Sequence, residues 1–572
     1  MNNFEKYFFS KLAVETNINE CYFGIPSNDS FTFLLNELKH IIQLQEDNEM
    51  RTSYIIVLSK WFFSFLEKDS ILETIDSIDY ARLIFMIKQI SEGSPINKKE
   101  AVSSLKRIKD KNSDLYFKKV IDNLVLIQKE NVFDCKTSNN LIELFINETL
   151  ARNIDIRFIF KTIEWYKDGK FESFEDYLYY FLKQDSDSYD VYIPIKCFKE
   201  NDNKIFEHHD QKVIDVDGNK YLKIYKNNTI DFYSLISENM MRIESIFNML
   251  KLYTFSSINF DYEHDVLINF TRSKVLKNID SLTFQLKSIM TYSGVKPYSK
   301  FMHQTINNLF LVEQGNRNAY HKVLNVISYS EKDNDFINPT AYVDAWIALE
   351  TLFSLSDYGK GLDVVKNYLP MFVSSKIIMN KLTFLLKNGY SKICKAEEFV
   401  LHGKKINSEN SYYDFELEKL NSKFGSVKEL SKYYFEIENR IKIDLIRIYM
   451  LRNEYVHQSN LNAFRSLQFY KLKNYLTLSI DTFFGMLDKA KRFAADDIIY
   501  QVFAKLIQKN TDRAIAFKIE TENHKIDSKN KTLKVVEINN DKFTARNLSL
   551  NILLNNNAIN KPFFRITKDT DN

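Results

Sequence analysis

Glycine and proline are scarce in this chain, whose 572 residues include 12 Gly and 7 Pro. Tight turns depend on these two residues, so their scarcity argues against collagen-like chains, propellers and other many-turned β architectures. Both residues also destabilise helix interiors. The composition therefore predicts a chain built mainly of long helices, and its length is sufficient for several domains.

Cysteine is also scarce, and no two cysteines form a CxxC pair. This argues against a disulfide framework and a zinc ribbon, and it fits a reducing compartment. The N-terminus lacks a basic segment followed by an apolar core, so we expect no signal peptide. The longest mainly apolar run, residues 54–66, is shorter than the roughly 20 residues that span a bilayer. We therefore expect a cytoplasmic protein that makes no membrane contact.

A large excess of positive charge is absent, since 78 Lys and Arg face 75 Asp and Glu for a net charge of +3. Any contact with nucleic acid must then come from a local patch. Residues 438–473 contain seven basic and three acidic residues, a net charge of +4. Such a window could bind a phosphate backbone, although a solvated helix face often has the same balance.

Four regions follow from the patterning of the chain. Residues 1–185 are predicted to be mostly helical, with helices over 31–44, 53–66 and 141–165. Residues 186–276 form a small α/β module, with strands, a helix over 237–253 and a hairpin that turns at Asp217-Gly218.

Helices return over residues 277–495, which we expect to form a helical bundle with its core at 338–495. Asn338 and Pro339 are a helix start signal, because Asn caps helices and Pro suits the first turn. Two further helices are predicted between 364 and 400, and one each over 435–456 and 463–493. Residues 496–572 are a mixed α/β extension.

The most informative segment is RIKIDLIRIYMLRNEYVHQSN, residues 440–460. Its apolar positions recur every three or four residues at Ile437, Ile441, Leu445 and Ile448, and the next position of that stripe is Arg452. A buried guanidinium is costly unless it is paired or faces a wet cleft. Asn453 and His457 are four residues apart and share one helix face, next to the face of Arg452.

Arginine and histidine together, without a nucleophilic Ser or Cys, suit the attack of a ribose 2′-OH on its own phosphate. His457 would transfer protons near neutral pH. Arg452 would bind the phosphate oxygens with its donor fork, and Asn453 would orient the imidazole or the phosphate. One histidine cannot easily serve both sides of the phosphorus, so we expect a homodimer or a higher even oligomer.

Spacing alone is weak evidence for this site, because an R-x(4–6)-H pattern is expected about once by chance in a chain of this composition. Arg317 and His321 form a similar pair with one residue fewer between them. The alternative for Arg452 is a structural ion pair, for which Glu350 is a partner. Glu350 is otherwise a solvated carboxylate at a helix edge, and Trp346 is expected in the core.

The segment LRNEYVHQ resembles the R-x(4–6)-H motif of HEPN domains, in which a polar residue commonly follows the arginine. The segment AYVDAWIALETLFS, residues 341–354, is similar to the first helix of the ApeA-like HEPN group and precedes the motif by about 100 residues, as in that group. The resemblance covers residues 338–495. It implies a dimeric helical bundle that cleaves RNA without a metal or cofactor, with Arg452, His457 and Asn453 in the site.

That group is similar to ribonucleases of bacterial anti-phage and abortive-infection systems. HEPN toxins that a partner nucleotidyltransferase modifies carry Tyr two residues after the histidine, whereas this chain has Ser459. Control by that route is therefore not expected.

Two hypotheses follow for function. The first is a phage-defence endoribonuclease whose substrate is RNA and whose N-terminal region senses a phage-derived trigger or restrains the nuclease. The second is a catalytically silent dimerisation or ligand-binding module in a sensor or scaffold. A metal site at His208, His209, Asp210 and His264 fits no known ligand spacing, so we expect none there.

Overall fold

The computed structural model describes the following residues, and every structural statement below concerns them alone: 1–18, 29–44, 49–69, 71–94, 97–130, 133–182, 187–196, 211–224, 231–254, 258–273, 281–287, 307, 309–310, 313, 317–331, 339–353, 361–389, 399–400, 402–403, 410–458 and 466–490. The chain is mainly helical with a small antiparallel sheet in the middle, as the sequence predicted. The expected extension at 496–572 lies outside the described residues.

The N-terminal region is an irregular array of helices whose core is rich in aromatic rings. Its helices are α1 Asn3–Thr16, α2 Phe31–Leu44, α3 Glu49–Leu66, α4 Ile71–Ile75, α5 Ser77–Ser91, α6 Lys98–Glu130, α7 Cys135–Ala151, α8 Ile156–Lys167 and α9 Phe174–Tyr180. Phe8, Phe145 and Tyr177 are fully buried and belong to one contiguous cluster. Burial of such rings is the main stabilisation of helices that are too short to persist alone.

The single helix expected over 141–165 is wrong, because the chain breaks between α7 and α8. Asn153 has a φ of 61°, a left-handed conformation that ends a helix. Asp155 then caps α8, since its side chain accepts a hydrogen bond from the Arg157 amide.

The middle module is an antiparallel sheet with one helix packed against it. Its strands are β1 Asp187–Lys196, β2 Gln211–Val216, β3 Asn219–Ile224, β4 Asn259–Phe260, β5 Asp265–Ser273 and β6 Ser281–Gln285, in the order β2-β3-β1-β5-β6 with β4 also on β1. The helix is α10 Phe232–Thr254. The sheet extends beyond residue 276, since β6 pairs with β5.

The hairpin predicted at Asp217-Gly218 is confirmed. Val216 of β2 pairs with Asn219 of β3, and the two turn residues have φ values of 53° and 84°. Positive φ at both positions is the backbone of the tight turns that match the twist of a hairpin.

The C-terminal region is a helical bundle. Its helices are α11 Arg317–Glu331, α12 Pro339–Phe353, α13 Leu362–Gly389, α14 Ser411–Phe424, α15 Val427–Gln458 and α16 Ser466–Ala490. The helix start at Pro339 is confirmed, while Asn338 lies outside the described residues. The bundle also contacts the N-terminal array, because α14 packs against both α1 and α7.

Helix α13 is the one described helix that is long and apolar enough to cross a membrane by length and composition. Of its most apolar window, 56% is buried inside the fold. Leu369, Val373, Ile378 and Leu382 are all at 0% exposure, so this helix has the burial of a core helix.

Candidate active site

Helices α12 and α15 bring together the two segments that carry the resemblance. The hydroxyl of Tyr342 on α12 donates a hydrogen bond of 2.8 Å to the carbonyl oxygen of Ile448. Its ring meets that of Tyr455 edge to face, with centroids 5.7 Å apart. The Trp346 ring, at 0% exposure, lies 5.5 Å from that of Tyr449. Trp346 is therefore a core residue that fixes the turn of α15 on which Arg452 lies.

The apolar stripe of α15 is confirmed, with Ile441, Leu445 and Ile448 all buried. Arg452 follows Ile448 by one turn and is half-buried. Its Nη1 donates a hydrogen bond of 3.0 Å to Oδ1 of Asn453. Its Nε is buried and has no hydrogen-bond partner within the described part of the chain. Arg452 and Asn453 are thus in direct contact, and no described residue accepts a hydrogen bond from Nε of Arg452.

Glu350 is half-buried on α12, and no ion pair joins it to Arg452. Arg452 forms no ion pair with any described residue. His457 lies in the last turn of α15, which ends at Gln458. The path of the chain after Gln458, Ser459 included, falls outside the described residues.

Arg447, five residues before Arg452, shows how a structural arginine is held in the same helix. It is 4% exposed, and its Nε and Nη2 donate to the two carboxylate oxygens of Glu37 at 2.7 and 2.9 Å. Asp29 and Asp444 lie at 3.4 and 3.7 Å. Burial alone would lower the pKa of Arg447, but these carboxylates outweigh it and raise the pKa above its ordinary value.

Three of the seven basic residues in the net positive window at 438–473 lie inside the fold. Arg447, Lys471 and Lys473 are buried at 4%, 2% and 7% exposure, and Lys471 donates to Asp444 at 2.7 Å. Arg440 is paired with Glu143 of the N-terminal array at 3.7 Å. Part of the charge of this window is therefore buried or paired with acids of the N-terminal array, and its interpretation as a binding face for a phosphate backbone stays a prediction.

A contact that the sequence did not predict joins the N-terminal array to the motif itself. Glu454, directly after Asn453, is 4% exposed, and its Oε1 lies 2.7 Å from Nε2 of His40 on α2. Its Oε2 is buried and receives no hydrogen bond from a described residue. His40 precedes Glu454 by 414 residues, and no local pattern relates two positions so far apart.

The other candidate residues do not converge on a second site. His264 is hydrogen-bonded to Asp261 at 2.8 Å, and residues 208–210 fall outside the described residues. No group of three or more His, Cys, Asp or Glu side chains within the described ranges is arranged to hold a metal ion. His321 of the Arg317–His321 pair is exposed on α11.

Comparison of the chain with protein-family models, with curated proteins and with solved structures finds no match.

Proposed function

We propose that this protein is a HEPN-type endoribonuclease of a bacterial phage-defence system. Arg452, Asn453 and His457 form its catalytic site, and RNA is its substrate. The observation that carries the proposal is the environment of Arg452: a half-buried guanidinium with an unused Nε donor and no ion pair among the described residues. Such a group suits an anionic ligand, whereas Arg447 on the same helix is fully occupied by carboxylates.

The reaction is the attack of a ribose 2′-oxygen on the adjacent phosphorus. The O2′–P bond forms and the P–O5′ bond breaks, which gives a 2′,3′-cyclic phosphate and a 5′-OH. Arg452 stabilises the negative charge on the phosphorane oxygens, and Asn453 holds the guanidinium through its side-chain oxygen. His457 transfers a proton at one side of the phosphorus. The proposed reaction requires no metal ion and no cofactor.

The N-terminal region is proposed to sense a phage-derived trigger or to restrain the nuclease. It is well placed for this role, because α2 contacts α15 through Arg447–Glu37 and through His40–Glu454. A movement of α2 would therefore displace contacts of Arg447 and Glu454, which lie within about one turn of Arg452 on α15. We further propose that the protein acts in the cytoplasm as a homodimer or a higher even oligomer.

The proposal is tested by incubating purified full-length protein with RNA, with and without EDTA. We expect 5′-OH and 2′,3′-cyclic phosphate ends in both conditions. Arg452→Ala is expected to lower cleavage about 100-fold or more, as loss of a transition-state donor does, and His457→Ala likewise. His321→Ala, which removes the exposed histidine of the similar pair, serves as the matched control and is expected to cleave normally. Equal cleavage by all four proteins would refute the assignment and favour a silent module.

A second measurement covers a nuclease that is held inactive until infection. Expression of the wild type is expected to slow growth of phage-infected cells or to protect the culture, and both Arg452→Ala and His457→Ala abolish the effect. Protection by either variant at the wild-type level would count against a nuclease role.

A further inference from the structure

A cleft of about 1350 Å³ lies where the N-terminal array meets the helical bundle. Helices α1, α3, α6 and α7 line it from the array, and α13, α14, α15 and α16 line it from the bundle. Ligand sites are often found between structural units, and most have volumes of roughly 300–1,000 Å³. Neither Arg452 nor Asn453 lines this cleft, so it is a candidate site separate from the motif.

Three lysines of the cleft surround one carboxylate. Nζ of Lys381 lies 2.6 Å from Oε2 of Glu416, and Nζ of Lys419 lies 3.8 Å from Oε1 of the same residue. Lys11, on α1, pairs with Glu15 at 2.9 Å. Although burial raises it, these three ammonium groups together lower the pKa of Glu416 to about 2. Three ammonium groups thus face two carboxylates, which leaves one positive charge in excess.

Lys419 is the member of this cluster that is most available to a ligand. Its side chain is 49% exposed. Desolvation in the cleft and the positive charges of Lys381 and Lys11 lower the pKa of Lys419, even though Glu416 opposes them. A further anion beside Lys419 would stabilise its charged form.

The cleft as a whole is positive. Seven Lys and Arg line it, against six Asp and Glu. Two of these acids already accept hydrogen bonds from other residues, Asp29 from Arg447 and Asp69 from Tyr116. One of the bases, Lys423, is paired with a glutamate that does not line the cleft. Six cations then face four carboxylates, so the cleft favours an anionic ligand.

Large apolar side chains line the same cleft and remain accessible. Phe435 on α15 is 65% exposed, and Leu126 on α6 is 51% exposed. Trp61 and Phe65 lie one turn apart on α3 and are half-buried. Nucleobases stack on such rings whatever their sequence, because every base has a π-face. The cleft therefore offers both an aromatic surface for a base and cations for phosphate groups.

Helix α15 brings these two kinds of group together. Phe435, Asn439 and Arg440 follow one another along the part of α15 that lines the cleft. The side chain of Arg440 is 47% exposed and lies 3.7 Å from Glu143, a longer contact than the 2.6 Å pair of Lys381. Its guanidinium thus keeps accessible donors one turn beyond the exposed ring of Phe435.

We infer that this cleft binds a nucleotide of one or two bases that carries at least two negative charges on its phosphates. Phe435 contacts a base, and Lys419 and Arg440 contact the phosphates. The volume of the cleft, above the usual range, sets the upper size of two bases. The ligand contacts the N-terminal array and the bundle at once. This inference does not rest on the proposed ribonuclease function, because binding here breaks no bond and uses neither Arg452 nor His457.

The test is calorimetric titration of purified full-length protein with the four ribonucleoside triphosphates and with 5′-phosphorylated deoxydinucleotides. The deoxydinucleotides lack the 2′-OH that the proposed reaction attacks. We expect at least one of these probes to bind one site per chain with a Kd below about 100 μM. Tripolyphosphate and adenosine, which each supply half of the recognised chemistry, are expected to bind at least about ten-fold more weakly.

Two variants locate the site, and each has a matched control. Phe435→Ala is expected to weaken nucleotide binding about ten-fold through loss of stacking, and to leave tripolyphosphate binding unchanged. Lys419→Ala is expected to weaken both about ten-fold. Phe85→Ala and Lys432→Ala remove side chains that are 63% and 57% exposed and do not line the cleft, and both should bind as the wild type does. All four variants should melt within a few degrees of the wild type.

Three results would overturn the inference. These are binding of none of the nucleotide probes, nucleotide binding that neither Phe435→Ala nor Lys419→Ala weakens, and tripolyphosphate binding as tight as that of the best nucleotide. Arg452→Ala separates the inference from the proposed function, since it should lose RNA cleavage and keep nucleotide binding. If it loses nucleotide binding while Phe435→Ala keeps it, the nucleotide binds at the motif; the inference then fails and the ribonuclease proposal stands.

Discussion

Arg447 is the residue whose loss should most weaken the attachment of the N-terminal array to the bundle. It is buried and donates two short hydrogen bonds to Glu37 on α2, with Asp29 and Asp444 close by. Arg447→Met keeps much of the side-chain volume and removes the charge. Asp444 retains Lys471 and Tyr475 as donors, whereas Glu37 loses both of its hydrogen bonds from Arg447.

The expected cost is about 3–5 kcal/mol, the range measured when one partner of a buried ion pair is removed and its counter-charge stays buried. Two charge-assisted hydrogen bonds, at roughly 1.5–3 kcal/mol each, give about 3–6 kcal/mol, a range that overlaps the first. Because about 1.4 kcal/mol is a factor of ten, α2 should separate from α15 at least about 100 times more often.

Hydrogen exchange followed by mass spectrometry measures this opening directly. Amides of α2 and of the second half of α15 should exchange faster in Arg447→Met, while amides of the middle sheet should not change. Lys432→Ala is the control, since its ion pair with Glu429 is largely exposed and should contribute below about 1 kcal/mol. Adding Glu37→Gln should recover part of the loss, because the unpaired carboxylate is then gone. Amide exchange at the wild-type rate in both α2 and α15 would refute the claim that Arg447 holds these two helices together.

Two further predictions concern stability. Burial and the nearby Asp155 raise the pKa of Asp231 to about 7, so the folded chain keeps a proton that the unfolded chain loses near pH 4. The contribution of this proton to the free energy of unfolding is thus present below pH 4 and is lost as the pH rises to 7. In Asp231→Asn the melting temperature should therefore decline less between pH 4 and pH 7 than in the wild type. An unchanged slope would contradict the shift. Gly389→Ala should lower the free energy of unfolding by about 1–3 kcal/mol in chemical denaturation, since a Cβ there would lie 2.9 Å from Cβ of Tyr413. Gly169→Ala is the control for backbone strain, because no atom lies within 4 Å of its Cβ position but φ is positive at 70°. Equal losses of stability in the two variants would argue against crowding at position 389.

Local sequence signals predicted local structure well. Helix α2 begins and ends where the apolar spacing placed it, at Phe31 and Leu44. The tight turn at Asp217-Gly218 followed from residues that accept positive φ. The break between α7 and α8 was missed, although Asn153 and Asp155 carry a recognisable signal: one tolerates the left-handed conformation and the other caps the next helix. The apolar spacing continues across residues 141–165 and predicted a single helix, although Asn153 and Asp155 interrupt it.

The site was predictable in part for the same reason. Arg452 and Asn453 are adjacent, so their contact follows from one helical segment. The hydrogen bond from Tyr342 of α12 to Ile448 of α15 joins two segments and could not be predicted from either one alone. The partners of the charged residues of α15 could not be predicted from the sequence. Asp29, Glu37, His40 and Glu143 come from segments about 300 residues or more away along the chain, and only the folded chain brings them to α15.

Pairing, rather than the count of charges, therefore distinguishes the arginines of α15. Arg440, Arg447 and Arg452 contribute equally to the net charge of the window in the sequence. In the structure Arg440 faces Glu143 and Arg447 faces Glu37, both acids of the N-terminal array, while Asn453 is the one hydrogen-bond partner of Arg452 among the described residues. A guanidinium that is bound to a carboxylate binds a phosphate weakly, because the carboxylate must first be displaced. The near-neutral charge of the whole chain is thus compatible with one cationic site on α15.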